Sequence, residues 1–380
     1  MPVGSWKNTV YGLALPVLGK RCEWKQTGDA LSKVLHRHHA VGACIQRFEA
    51  GQLTECHAVG YAALEPEKRP VTAQTVFRTA SIAKMVSALL VFRLQTLGEL
   101  NVQEELSDLL GFSVRSPYHP DAPVTLGMAL SHTSSIVDLP AYFDSFSQPQ
   151  RLQTLLEDPA AWSTAVPGTC FRYSNLAAGL VGCVLEKRFG ESFEQLAQKE
   201  LFSPLGVRAT FDLSALKAEE TADSYRVLPA AKAFDAQKRI DAAVPLEEPD
   251  AQHHYLLASG SLFVTAEALA RLALTTWNGA DGFLNAECLA LMQTPLKGWP
   301  EQSVKMEHGM GLLKLEDASV CPKAVWGHQG FAYGAVNGVF FDQEGNGFAA
   351  LNSGVSEQRV GHLALINRDL IRLWMGDGKA

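Results

Sequence analysis

The stretch TVFRTASIAKMVSALLVFRLQTL, residues 75–97, decides the reading of the whole chain. Its apolar residues Ile82, Met85, Val86, Leu89, Leu90 and Leu94 recur at three- and four-residue steps, which predicts a buried helix with Gly98 as its C-terminal stop. Ser81 and Lys84 stand three apart near its start, so a helix sets both on one face. A lysine so placed draws the serine's proton when neutral, or steadies the alkoxide when charged. The Ser81 backbone N–H can point at a developing oxyanion. Taken alone, a serine and a lysine three apart are equally the polar edge of an ordinary helix, so the case depends on the rest of the chain.

Composition sets the bounds. With 380 residues, 47% of them hydrophobic and 19% charged, the chain is long enough for one large globular domain or two moderate ones. A formal net charge of −7 argues against nucleic acid or an anionic membrane as partner, and no apolar run is long enough to span a bilayer. The seven cysteines, an odd number with no C-x-x-C spacing, predict reduced thiols rather than a zinc ribbon or a disulfide framework. The run Val10 to Leu18 follows Lys7 but contains Gly12 and Pro16 and lacks an A-x-A-like cleavage site, so the cytoplasm is the expected location and secretion the alternative. His36, His38 and His39, like His253 and His254, have no acidic or cysteine partner at ligand spacing. They read as solvated helix ends, and no metal or other cofactor is expected.

The order of elements gives the fold class. Ala30 to His39 predicts a helix, and Val41 to Phe48 and Leu53 to Gly60 predict strands joined at Glu49-Ala-Gly-Gln. Helical patterns dominate the middle, at Val124 to Ser131, Asp144 to Pro159, and Leu176 to Phe189 closing at Gly190; Ser192 and Gln195 form a capping-box pattern. Residues 215–250 lack periodicity and read as an extended, exposed connection. A helix is expected at Ala266 to Trp277, strands at Val325 to Gly330, Ala335 to Phe341 and Phe348 to Asn352, and an amphipathic helix over Val360 to Trp374. Strands at both ends predict an α+β fold, with an antiparallel sheet flanked by helices and built from both chain ends. Residues 1–80 and 255–380 would form that lobe, residues 81–254 an inserted helical lobe, and the cleft between them the active site.

Two more stretches follow Ser81-Ile-Ala-Lys84 in order: Tyr173-Ser-Asn175, and His328-Gln-Gly330 after the Trp-Gly of a strand. SHTSSI at 131–136 and PLG at 204–206 accompany them. The ordered set resembles the serine β-lactamase and penicillin-binding protein superfamily, in particular its class C β-lactamase-related members, which include esterases and D-amino-acid peptidases. The resemblance runs from about Leu31 to the C-terminus. It implies an acyl-enzyme on Ser81, and a Tyr173 phenol made acidic by Lys84 to carry the proton. It also implies that Asn175 bonds Lys84 and the substrate's acyl amide, and that the Ser81 and Phe331 N–H groups form the oxyanion hole. Gly330, without a Cβ, lets substrate approach the strand. Asn175 is equally a good N-cap for the helix that follows, and His132 reads as a brace of its own loop.

The third motif departs from β-lactamases, which usually carry Lys-Thr-Gly there. His328 and Gln329 stand in those places, and a histidine near its ordinary pKa of ~6.5 is mostly neutral at pH 7, which leaves less fixed charge for a substrate carboxylate. H-x-G instead resembles the family's esterases and D-peptidases. A cytoplasmic location speaks against cell-wall substrates, and an ester's alkoxide leaves more readily than an amine. The expected activity is therefore hydrolysis of small carboxylic esters, with a D-amino-acid peptidase or amidase and a β-lactamase as alternatives. A non-catalytic binding module and a metal-dependent hydrolase are the readings from other classes. The expected partner is a small ester or amide, its pocket lined by some of Tyr142, Phe143, Trp299 and Phe331. The identity of the substrate and the oligomeric state are not legible.

Overall fold

Strands form where β-branched and aromatic residues concentrate, near the two ends of the chain. In the computed structural model the described residues are 22–376, apart from 146 and 301, with residue 14 alone before them. The run at 10–18 and its reading as an export signal otherwise lie outside them. From the N-terminal side come β1 (Gly42–Glu49), β2 (Gln52–Ala63) and β3 (Arg69–Pro70). From the C-terminal side come β4 (Lys297–Gly298), β5 (Met306–His308), β6 (Leu313–Leu315), β7 (Val325–Ala332), β8 (Ala335–Phe341) and β9 (Gly347–Asn352). They make one sheet in the order β3-β2-β1-β9-β8-β7-β6-β5-β4, antiparallel throughout. The two ends of the chain meet where β1 pairs with β9, from Ala43 opposite Asn352 to Phe48 opposite Gly347.

The central strands are apolar on both faces, because helices cover both. Ala43, Ile45, Phe340, Phe348 and Ala350 pack with Val34 and Leu35 of α1 (Ala30–Arg37) and with Ile366, Leu370 and Ile371 of the C-terminal helix (Leu365–Trp374). The alternate residues Cys44, Val339, Phe341, Ala349 and Leu351 belong to the larger core, which includes α2 (Ala83–Thr96), α3 (Asn175–Phe189) and α4 (Ala266–Asn278). This is the period-two alternation of a strand carried through a sheet buried on both sides. We number the C-terminal helix α5.

The α+β architecture expected from the sequence is present, with local differences. The helix expected over Asp144 to Pro159 is confined to Leu152–Glu157. α5 begins at Leu365 rather than Val360, because Arg359–Val360 and Leu363–Ala364 pair as a two-stranded ribbon. Residues 215–250 are not simply extended. They contain the pair Ser224–Arg226 and Ala231–Phe234 and the helix Ala236–Asp241. Buried carboxylates that no periodicity reveals hold them: Asp223 accepts from the Ala236 N–H at 2.8 Å, and Glu186 from the Asp250 N–H at 2.7 Å.

Two of the histidines expected at solvated helix ends are partnered inside. His38 is buried 2.8 Å from Asp369, and His254 lies 2.7 Å from Glu186. Among the described residues no group of three or more His, Cys, Asp or Glu is arranged to hold a metal ion, and no helix is long and apolar enough to cross a membrane.

α3 packs against residues 254–260, and Gly179 sets how closely. A Cβ there would lie 1.8 Å from the Tyr255 carbonyl oxygen, nearer than any packing tolerates. We expect Gly179→Ala to destabilise the fold by about 1–3 kcal/mol, read as a lower urea midpoint at unchanged slope. An unchanged midpoint would show that the helix is free to shift.

Candidate active site

Ser81 sits on a single 3₁₀ turn, Ala80–Ile82, that leads into α2. The turn is entered through Ala80 in the left-handed region, φ 55°, a conformation that costs a non-glycine residue energy and needs its surroundings to hold it. Two neighbours do so. Thr79 is tied to the Leu262 carbonyl through its N–H at 2.9 Å and its hydroxyl at 3.1 Å. On the other side β7 lies directly against the turn, since a Cβ on Gly330 would fall 2.2 Å from the Thr79 oxygen and 3.0 Å from the Ser81 nitrogen. That close approach is the reason for a glycine there.

α2 is buried on nearly all sides, and Lys84 goes in with it. Its Nζ lies 3.2 Å from Ser81 Oγ, 2.9 Å from Asn175 Oδ1 and 2.6 Å from the Ser259 carbonyl oxygen. Burial pulls its pKa down to about 7; the Asp138 carboxylate opposes that shift and the Arg78 guanidinium adds to it.

Asn175 is oriented by Asp138, a residue that the sequence motifs did not single out. Its Oδ2 accepts from Asn175 Nδ2 at 2.8 Å, and its Oδ1 accepts from Ser174 Oγ at 2.9 Å and the Leu176 N–H at 2.9 Å. A carboxylate can only accept, so the amide nitrogen must face Asp138 and the amide oxygen is left for Lys84. The N-cap of α3 is Ser174, whose hydroxyl accepts from the Ala177 N–H, and not Asn175 as the sequence allowed. The one sequence signal for Asp138 is an acidic residue two positions after the SHTSSI phrase.

The Tyr173 ring centroid lies 5.2 Å from Lys84 Nζ. Its phenol is not made acidic. Burial pushes it up to about 12, and the hydrogen bond to Ser81 only partly offsets that. Lys84 is close, but a fully desolvated phenolate costs more than a half-neutralised lysine returns. His132 stacks at 4.4 Å on Tyr173, and its Nδ1 accepts from the Ser174 N–H at 3.2 Å, so it braces the Tyr173 segment.

In β7, alternation separates the third motif. Gly330 faces the Ser81 turn. Gln329 points the other way, its amide donating to the His362 carbonyl at 2.6 Å and accepting from the Ala364 N–H at 3.1 Å. Phe331 turns to the same side and packs with the α1 and α5 cluster, the Arg359 guanidinium 3.7 Å from its ring, so its side chain does not line the cleft. His328 is buried, and its Nδ1 lies 2.8 Å from the Gln329 carbonyl oxygen. A carbonyl only accepts, so Nδ1 carries the proton and Nε2 the lone pair. Burial, with Lys84 nearby, holds its pKa down at about 3.

Of the expected pocket aromatics, Tyr142 is core and Phe143 is exposed. Trp299 does reach the site, stacked 6.4 Å from Tyr173 and 4.9 Å from His308. His308, another residue the motifs did not mark, is held neutral by burial and by its histidine neighbours.

A Beta-lactamase family model matches residues 28–370. The chain belongs to the beta-lactamase family, a family of hydrolases. Penicillin-binding protein 4 of Amycolatopsis lactamdurans is 30% identical over 198 residues, which are 50% of this chain and 49% of that protein. The chain thus spans about half the length of this relative. Two solved structures share the beta-lactamase-family fold. EstCE1, described as a hydrolase with promiscuous acyltransferase activity, has a TM-score of 0.72 at 22% identity and covers 97% of this chain and 100% of its own. The D-amino acid amidase from Ochrobactrum anthropi SV3 has a TM-score of 0.71 at 19% identity over 90% of this chain and 96% of its own.

Asp138→Ala would leave the Leu176 N–H and the Asn175 amide without an acceptor. We expect a loss of about 1–3 kcal/mol in unfolding free energy, with Asp138→Asn intermediate because it keeps one accepting oxygen. Thermal unfolding of the three proteins measures it, and equal midpoints would mean that the carboxylate is replaced by solvent.

Proposed function

We propose that the protein is a serine hydrolase that forms an acyl-enzyme on Ser81 and acts on small carboxylic esters. The observation that carries this reading is the set of partners around Lys84. A neutral amine has two N–H bonds and one lone pair. The Asn175 and Ser259 oxygens, at 2.9 and 2.6 Å, take the two hydrogens, which leaves the lone pair for the Ser81 hydroxyl at 3.2 Å. With its pKa near about 7, an appreciable fraction of Lys84 is neutral at physiological pH. In this mechanism Lys84 takes the Ser81 proton as Oγ attacks the ester carbonyl, and the Ser81 and Phe331 N–H groups receive the oxyanion.

Tyr173, protonated at neutral pH, then gives its hydrogen to the departing alkoxide and regains one from Lys84. Water attacks the acyl-enzyme by the reverse relay, and the acid product leaves. The same protonated phenol favours one second reading, an amidase, because an amine leaving group needs an acid more than an alkoxide does. Neutral His328 supports both over a β-lactamase, since it offers no positive charge to a carboxylate. The seven free cysteines support a reducing, cytoplasmic setting as part of this proposal.

We expect wild type to hydrolyse p-nitrophenyl butyrate faster than a D-alanyl anilide or a chromogenic cephalosporin. Ser81→Ala should lower the ester rate by at least about 10³-fold and abolish labelling by a fluorophosphonate. A labelled, active Ser81→Ala protein would defeat the assignment, and faster turnover of the anilide would favour the amidase. Chelator should leave the rate unchanged.

The pH dependence follows from Lys84. Its protonated form cannot accept, so kcat/KM should rise about tenfold per pH unit below about 7 and level off above it. A profile flat from pH 5 to 8 would remove Lys84 as the base.

A further inference from the structure

A second cation stands beside this site, and among the described residues no acidic side chain neutralises it. Arg78 precedes Ser81 by three residues, in the short strand Phe77–Arg78 that pairs with Phe263–Val264. Its guanidinium is largely enclosed. The Tyr333 ring covers it at 5.0 Å, and Nη2 lies 3.8 Å from where a Cβ on Gly260 would be, a point also 3.8 Å from the Ala80 carbonyl carbon. Nη1 is buried with no hydrogen-bond partner, and among the described residues no acidic side chain pairs with Arg78. Tyr333 is itself held in the left-handed region, φ 54°, at the β7–β8 turn, where its carbonyl accepts from Ser224 Oγ at 3.0 Å. The left-handed Tyr333 thus holds an aromatic face over a guanidinium whose Nη1 has no hydrogen-bond partner. A guanidinium kept from water without an anion is costly, and its planar fork matches a carboxylate.

The location says which half of the substrate would carry that carboxylate. Ser81 has two sets of neighbours. Tyr173 adjoins His132, His308 and Trp299, while Lys84 adjoins Ser259 and, one residue on, the Gly260 that borders Arg78. In the proposed mechanism the leaving alcohol departs beside Tyr173, so the acyl group extends toward Gly260 and Arg78. At the end of β7, Gly330 lies against the Ser81 turn and Tyr333, three residues on, against the guanidinium, a separation of at most roughly 10 Å and so within the reach of a short acyl chain.

We propose that Arg78 is a specificity-determining residue that binds a carboxylate at the far end of the acyl group, so that the preferred substrates are monoesters of short dicarboxylic acids. This rests on the esterase reading of Ser81. It also gives the site a positive charge on the acyl side, where neutral His328 gives none at the third motif.

The test compares monomethyl glutarate with methyl pentanoate, followed by proton release, for wild type, Arg78→Met, Arg78→Lys and Arg359→Gln. Wild type should favour the charged ester at least tenfold in kcat/KM, mainly through KM. Arg78→Met should bring the ratio near one, Arg78→Lys should restore part of it, and Arg359→Gln should keep it. A merely structural Arg78 would slow both esters alike and leave the ratio intact. Equal use of the two esters by wild type, or loss of the preference in Arg359→Gln instead, would overturn the proposal.

A second readout needs neither turnover nor a folded variant. Glutarate should protect wild-type Ser81 from fluorophosphonate labelling at concentrations where glutaramide does not, and equal protection by the two would count against Arg78. If neither ester is turned over but glutarate alone protects, the anion site stands and the esterase reading falls.

Discussion

A lysine taken out of water is the constraint around which this site is built. Burying an ammonium costs several kcal/mol unless acceptors meet it, and even then the neutral form gains ground. Lys84 has three oxygens within 3.2 Å and a pKa near about 7, poised between the two outcomes. Each oxygen is delivered by a different element. Ser81 comes from the turn before α2, Asn175 from the first turn of α3, and the Ser259 carbonyl from the segment that α3 holds in place through Gly179. Movement of any one would leave the buried amine short of a partner, so the packing of three elements and the basicity of one amine are the same problem.

The strained residues follow from that geometry. Ala80, His132 and Tyr333 all take left-handed φ angles, and all three border the site. Ala80 turns the chain into the 3₁₀ turn that carries Ser81. His132 carries an imidazole to Tyr173, and Tyr333 carries its ring to Arg78. None of the three is a glycine, so side chains are kept where the backbone would prefer none, and the surrounding sheet and helices must over-determine the conformation.

The strands β8 and β9 and the helices α2 and α3 are legible in the sequence as apolar runs of strand and helix length, buried on both faces of the sheet and on nearly all sides of the helices. The sequence made Ser81, Lys84, Tyr173 and Asn175 visible because their motifs are local. What it hid is tertiary. Asp138 lies 37 residues from Asn175 in the chain, and a single aspartate in a loop has no pattern to betray it. His308 and Arg78 are ordinary residues of short strands until the fold sets one beside Tyr173 and the other beside Gly260 and the Ser81 turn. The ordering of residues 215–250 likewise depends on Asp223 and Glu186, whose partners lie 13 and 64 residues away and follow no helical or strand period. The upward shift of the Tyr173 phenol is hidden from the sequence for a related reason. A cationic neighbour was visible from the motif, and the depth of burial that outweighs it was not.

Burial also sets the charge of the three imidazoles near Lys84. His132, His308 and His328 are all held neutral by desolvation, and Lys84 lowers each of them further. In a shared low-dielectric space, basic groups this close do not all carry charge, and a proton released there settles on the most basic of them. That group is Lys84, whose own pKa near about 7 stands above the depressed values of its neighbours. The imidazoles thus fill the wall with polarisable, uncharged rings and add no competing base. In the proposed mechanism a proton leaving Ser81 therefore goes to Lys84, and the positive charge near Ser81 stands at the lysine and at Arg78 rather than along the third motif.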